Sequence, residues 1–195
     1  GRVGLLRQDA ATERNIRTVW RMYRDEGAAR ARADLRARLC HDSAPIDMLG
    51  AFDTVMALGI RLPVLWMLTE PRFRFHDQHL GDDVLLGAQA LALDETRAAF
   101  QPILWNSAGR TAGRIVQMWF KGYHADIGGQ LRGDESARPL ANIPLVWMLG
   151  QAESAGLPLP EGWRGRFDQD VSAPSLGNWR GWAKAFLARS PRVAG

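Results

Sequence analysis

At 195 residues the chain can bury a sizeable core as one domain, although nothing in that length requires it to be a whole one. Hydrophobic residues at 46% and charged residues at 24% are ordinary for a globular domain, and no apolar run approaches the roughly 20 residues of a membrane span. A single cysteine, Cys40, excludes an internal disulfide and a cysteine-rich metal site, while a formal charge of +4 and a sequence pI of about 10.0 raise the question of anionic partners.

Taken in order, the chain opens on Val3-Gly4-Leu5-Leu6, too short for the apolar core of a secretory signal. Residue 1 is glycine, which points to a chain that begins mid-protein or has been processed. Thr12 can cap a first helix in which Ile16, Val19, Trp20 and Tyr23 recur at spacings of three and four, and Gly27 ends it. A second helix, from about Ala28 to Leu39, has only Leu35 and Leu39 as an apolar pair and should lie on the surface. The arginines of this segment (Arg14, Arg17, Arg21, Arg24, Arg30, Arg32, Arg36 and Arg38) suit an anionic membrane surface or nucleic acid. They alternate with Glu13, Asp25, Glu26 and Asp34, however, which reads as a solvated helix face, and no nucleic-acid partner is expected.

Ile46–Phe52 is an apolar run that meets Asp53-Thr54-Val55 where a loop begins, the pattern of a strand ending in an ionisable residue. In Ala57–Leu68, Pro63 can open a short buried helix, with Pro71 beyond its end. His76-Asp77-Gln78-His79 places two histidines three apart near Asp82 and Asp83. No third and fourth ligands accompany them, so no metal is expected; Gly81 reads as a turn and Asp82 as the cap of a helix over Val84, Leu85, Ala88, Leu91 and Ala92. Asn106 to Arg114 reads as a glycine-containing connector.

The run from Arg114 to Phe120, closed by Gly122, predicts a buried strand that delivers His124 to its end. Behind it, Asn142 is a candidate cap for a helix carrying Ile143, Pro144, Val146, Trp147 and Leu149, stopped by Leu157-Pro158-Leu159-Pro160. Trp179, Trp182 and Phe186, with Arg180, Lys184 and Arg189 around them, form an amphipathic stripe that either docks on its own core or touches lipid.

An acid and a histidine, each just past a strand, are what an acyl-transfer site needs to orient and charge-stabilise an imidazole base. The carboxyl edge of a parallel sheet holds such groups rigidly yet accessibly. Acid before histidine is also the order that α/β-hydrolases use after their serine. His124 as a core histidine bonded to a carbonyl, and Asp53 as turn chemistry, are the competing readings of each residue alone.

Five blocks in order then carry a family resemblance: Ala51–Gly59, Phe75-His76-Asp77, Ala90–Glu95 with Phe100, Pro102 and Trp105, Trp119–Gly129, and Ile143–Met148. Over nearly the whole chain, they resemble the α/β-hydrolase-like family of bacterial and fungal proteins that includes the type VI secretion phospholipase effectors of the Tle type. Departures are Gln89 where that family usually has histidine, Lys121 where it has proline, and Gln130 where a third glycine is common.

The resemblance implies the C-terminal portion of an α/β-hydrolase-like sheet with flanking helices, as one partial catalytic domain over 1–195. It implies Asp53 as triad acid and His124 as general base for ester hydrolysis, with phospholipids as the implied substrate and no cofactor. Thr54, Asp126, Gly128 and Gly129 are implied as the supporting loops, Asp126 through backbone hydrogen bonds. The family's nucleophile lies in a G-x-S-x-G turn, and every serine here lacks one or both flanking glycines. Gly1–Arg7 resembles the segment just after the nucleophile helix, so the serine is expected shortly upstream, the chain alone is expected to be inactive, and its sheet edges are expected to be unpaired. A lipid or other ester, an anionic membrane surface, and a secretion-system or immunity partner are the implied partners; synthesis in the cytoplasm with export is the implied location. A non-catalytic interaction module or decayed remnant on the same scaffold is the alternative.

Overall fold

Among the described residues, three parallel strands position everything else. The computed structural model describes residues 3–24, 27, 29–55, 79–108, 112–178 and 188–192, and has a mixed α/β architecture. The strands are β1 (Ile46–Phe52), β2 (Val84–Ala92) and β3 (Ile115–Phe120), in the spatial order β1-β2-β3. Ile46 pairs with Val84 and Phe52 with Ala90 on one side of β2; Gly87 pairs with Ile115 and Ala92 with Phe120 on the other. Their carboxyl ends therefore lie together.

The helices are α1 (Glu13–Arg24), α2 (Ala29–Leu39), α3 (His124–Ile127) and α4 (Arg138–Ser154). Thr12 Oγ1 accepts a hydrogen bond from Asn15 N–H at 3.3 Å, so the threonine caps α1 as its sequence predicts. Val19, Met22 and Tyr23 of α1 pack with Leu39 of α2 around buried Val3, Leu35 and Cys40, a small core apart from the sheet. The rest of α2 is largely exposed.

One face of β2 is made of alanines. Ala88, Ala90 and Ala92 have no exposed surface and pack with Ile127 of α3 and Met148 of α4, flanked by Met48, Phe120 and Trp147. Small side chains let the helix layer approach closely, and Gly50 serves the same end: a Cβ there would meet Met148 Sδ at 2.8 Å. On the opposite face, buried Gln89 donates from Nε2 to Ile103 O at 2.8 Å.

The helix expected over Val84–Ala92 is thus a strand, and Asp82 belongs to the turn before it. Alanine and leucine favour helix locally, but a central strand is buried on both faces, and its continuous apolar run has no period that distinguishes the two. Nor does Asn142 cap a helix. The helix starts earlier, with Pro139 in its first turn, and Asn142 sits inside it, donating to Asp168 O at 2.9 Å. Pro144 lies in the helix interior and is buried.

β1 and β3 stand where the apolar runs put them, yet among the described residues β1 is an edge with Ile46, Leu49 and Phe52 exposed, and β3 is only half-buried. The expected helix around Pro63, the His76-Asp77-Gln78 part of the histidine cluster, and the Trp179, Trp182 and Phe186 stripe fall outside the described residues. Among those described, no helix is long and apolar enough to cross a membrane, and no group of three or more His, Cys, Asp or Glu is placed to hold a metal.

Candidate active site

Asp53 is the first residue past β1. Its amide donates to Ala90 O at 2.7 Å, continuing the ladder, and its backbone then turns into the left-handed region at φ 44°. Among residues with a side chain, aspartate and asparagine tolerate that region best, and the strain is one a packed surrounding must hold. The turn aims a fully buried carboxylate across the end of β2, where Oδ1 accepts Ala92 N–H at 2.9 Å. Oδ2 lies 2.8 Å from His124 Nδ1.

His124 reaches that point from β3 through a reversal at Gly122. Gly122 has φ 118°, and a Cβ there would meet Asp126 Cβ at 2.9 Å and Oδ2 at 3.1 Å, so both conformation and space demand glycine. Its amide donates to Asp94 Oδ2 at 2.7 Å, tying the loop after β3 to the loop after β2. His124 then opens the single turn of α3 and does not simply trail the strand, its own amide 3.3 Å from Glu95 Oε2. Its imidazole packs against Phe100 in a T-shaped arrangement with centroids 5.0 Å apart, and 27% of the side chain stays exposed. Gly122→Ala is expected to cost about 1–3 kcal/mol of stability, read as a lower midpoint in urea unfolding; an unchanged midpoint contradicts the strain assigned to this loop.

Each strand therefore ends on an ionisable group of the site: Asp53 after β1, Asp94 and Glu95 after β2, His124 after β3. Four further contributors are not among the residues that the sequence marks as a site. Arg192 grips Asp53 with Nη1 at 2.5 Å from Oδ1 and Nη2 at 3.0 Å from Oδ2. Glu95 is buried against Arg97 through Nε at 2.8 Å and Nη2 at 2.6 Å, and accepts Asn178 Nδ2 at 3.1 Å. Glu95 stands within one of the quoted family blocks, which was its only signal; the other three carry none locally.

Burial pushes the Asp53 carboxyl up, but hydrogen bonds from His124, Arg192 and the Ala92 amide, with the arginine's charge, outweigh it and hold the group below its ordinary 3.8. Asp53 is thus an anion at neutral pH, as an acid orienting an imidazole needs to be.

A family model described as "T6SS, Phospholipase effector Tle1-like, catalytic domain" matches residues 1–151. The chain belongs to this family. The match is narrower than the nearly whole-chain resemblance read from the sequence, but it contains Asp53, Glu95 and His124; Arg192 and Asn178 lie beyond it. Neither a search of curated proteins nor one of solved structures finds a match.

In this Tle1-like domain Asp126 is turned away from the imidazole. Its Oδ2 accepts Tyr123 N–H at 2.8 Å and Ser175 Oγ–H at 2.5 Å, and its Oδ1 accepts Leu176 N–H at 2.9 Å. Those bonds pin α3 to the 175–176 segment. Gly128 closes α3 with its amide on His124 O at 3.0 Å, and Gly129 follows at φ 68°. Thr54 takes part through its backbone, its carbonyl accepting Ile103 N–H at 2.9 Å beside the Val55–Pro102 bridge. Lys121 donates to Val171 O at 2.7 Å.

Proposed function

We propose that Asp53 and His124 are the acid and general base of a serine hydrolase that cleaves ester bonds of phospholipids. The three strands are then part of an α/β-hydrolase-like sheet, and residues 1–195 are a partial catalytic domain. The observation that carries the reading is the 2.8 Å contact of Asp53 Oδ2 with His124 Nδ1, made between groups from two strand ends within a phospholipase-effector family. An ionised carboxylate at Nδ1 selects the tautomer that carries its proton there, which leaves Nε2 as the accepting nitrogen.

In the reaction, Nε2 takes the proton of a serine hydroxyl as its oxygen bonds to the ester carbonyl. Asp53 stabilises the resulting imidazolium, which returns the proton to the departing alkoxide. Water then attacks the acyl-enzyme by the same route, releasing a fatty acid and the free serine. No serine of the chain stands in G-x-S-x-G, so the nucleophile and the oxyanion-hole amide that follows it come from outside residues 1–195. Delivery by a type VI secretion system belongs to the same reading, and the family membership supports it.

A fluorophosphonate, which bonds covalently to an activated serine, tests this in the natural full-length protein. One equivalent is expected on the serine of a G-x-S-x-G turn, with labelling lost in His124→Ala and none on residues 1–195 alone. No labelling of the full-length protein, or labelling indifferent to His124→Ala, overturns the proposal in favour of a non-catalytic module.

A further inference from the structure

We propose that Arg192 is a positioning residue for the Asp53–His124 pair, and that docking of segment 188–192 on the loop after β2 is what sets the carboxylate facing the imidazole. The inference rests on the acid–base reading above and names a residue outside the span matched by the family model.

The Arg192 side chain is 1% exposed. Besides its two bonds to the carboxylate, Nη1 donates to Ala92 O at 2.6 Å and Nη2 to Phe100 O. Its segment is held by Ser190 N–H on Thr96 O at 2.8 Å and by Ala98 N–H on Ala188 O at 3.0 Å. Arg189 Nη1 adds a bond to Thr96 Oγ1 at 3.2 Å, in an antiparallel bridge between Arg97 and Arg189. The guanidinium therefore comes to Asp53 on a pinned backbone.

The last torsion of an aspartate is broad, so the single Ala92 amide on Oδ1 leaves the plane of the carboxylate free to rock. Two guanidinium bonds, one to each oxygen, fix that plane. With the plane fixed, Oδ2 presents a lone pair to His124 Nδ1 while its partner oxygen is fully used. A lysine at this position would keep the charge without the fork, which separates orientation from simple charge balance.

Three measurements on the natural full-length protein decide it. Arg192→Met is expected to lower kcat about 10- to 100-fold with KM moved less than about threefold, a loss of orientation and not of substrate binding. In an Asp53→Asn background the same change should cost less than about threefold more, because the residue it acts through is already disabled. The low-field proton resonance of His124 Nδ1–H should be present in wild type, lost to exchange in Arg192→Met and partly restored in Arg192→Lys. If Arg192→Met does not fold, Arg192→Lys carries the same cycle, with a smaller loss in the same direction.

Equal kcat losses in both backgrounds overturn the inference, as does an Nδ1–H resonance unchanged by Arg192→Met; either leaves the acid–base reading standing. A resonance that responds to Arg192 in a protein that hydrolyses no ester does the reverse.

Discussion

If Asp53 is the orienting acid proposed above, Asp53→Asn in the full-length protein is expected to lower turnover on phospholipid esters by about a thousand- to ten-thousand-fold and to leave KM within a few-fold. An asparagine has one acceptor oxygen where the site needs two. The Ala92 amide and the Arg192 fork both donate, and between them they claim that oxygen. The amide NH2 is then left facing His124, whose Nδ1 must turn acceptor, and the ring proton moves to Nε2. A base protonated at the nitrogen that should receive the serine proton cannot work. Removing the carboxylate also strands a buried guanidinium, so the variant should unfold at lower urea as well. Steady-state kinetics check the first effect, and a loss of less than about tenfold would contradict the assignment of Asp53 as the orienting acid.

Arg97→Met is expected to remove about 3–5 kcal/mol of stability at neutral pH, the cost of breaking a buried ion pair from one side. Glu95 Oε1 accepts both the backbone N–H and Nε of Arg97, and Oε2 accepts Nη2; the guanidinium also lies 3.6 Å over the Phe100 ring that abuts His124. Burial pushes the Glu95 carboxyl up, while Arg97's side-chain and backbone hydrogen bonds and charge, with Asn178, hold it below its ordinary 4.5. A depressed carboxyl stabilises the fold above the unfolded value and loses that contribution as pH falls through the folded one. Wild type should therefore lose stability on acidification below 4.5. In Arg97→Met the burial that remains favours the protonated acid, so the gap between variant and wild type should narrow over the same pH range. Urea titrations at neutral and acid pH read both, and a gap that is small at neutral pH or widens with acid contradicts the role given to this pair.

β1 and β3 were legible because each joins a branched or aromatic run to a turn, and the ionisable residue after each run proved to sit beside the other. β2 was not, because Ala88, Ala90 and Ala92 are small for the sake of the helices above them, a tertiary demand that looks locally like helix propensity. The start of α4 was misplaced for a related reason. Asn142 and Pro144 have the right chemistry for a first turn, but the helix begins earlier and uses the asparagine to hold Asp168. Arg192 illustrates the limit most sharply, since it meets Asp53 across 139 positions and Ser190-Pro191-Arg192 has no local pattern that announces it. A side chain recruited by docking of a remote segment leaves no periodicity to read.

The most direct test is the release of fatty acid from phospholipid vesicles by the full-length protein and by its His124→Ala variant, with folding of the variant verified by its melting curve. The account predicts sustained release by the wild type and at least about a thousandfold slower release by the variant. Equal rates would contradict it, because an imidazole bonded to a buried carboxylate would then be a structural pair and the base would lie elsewhere.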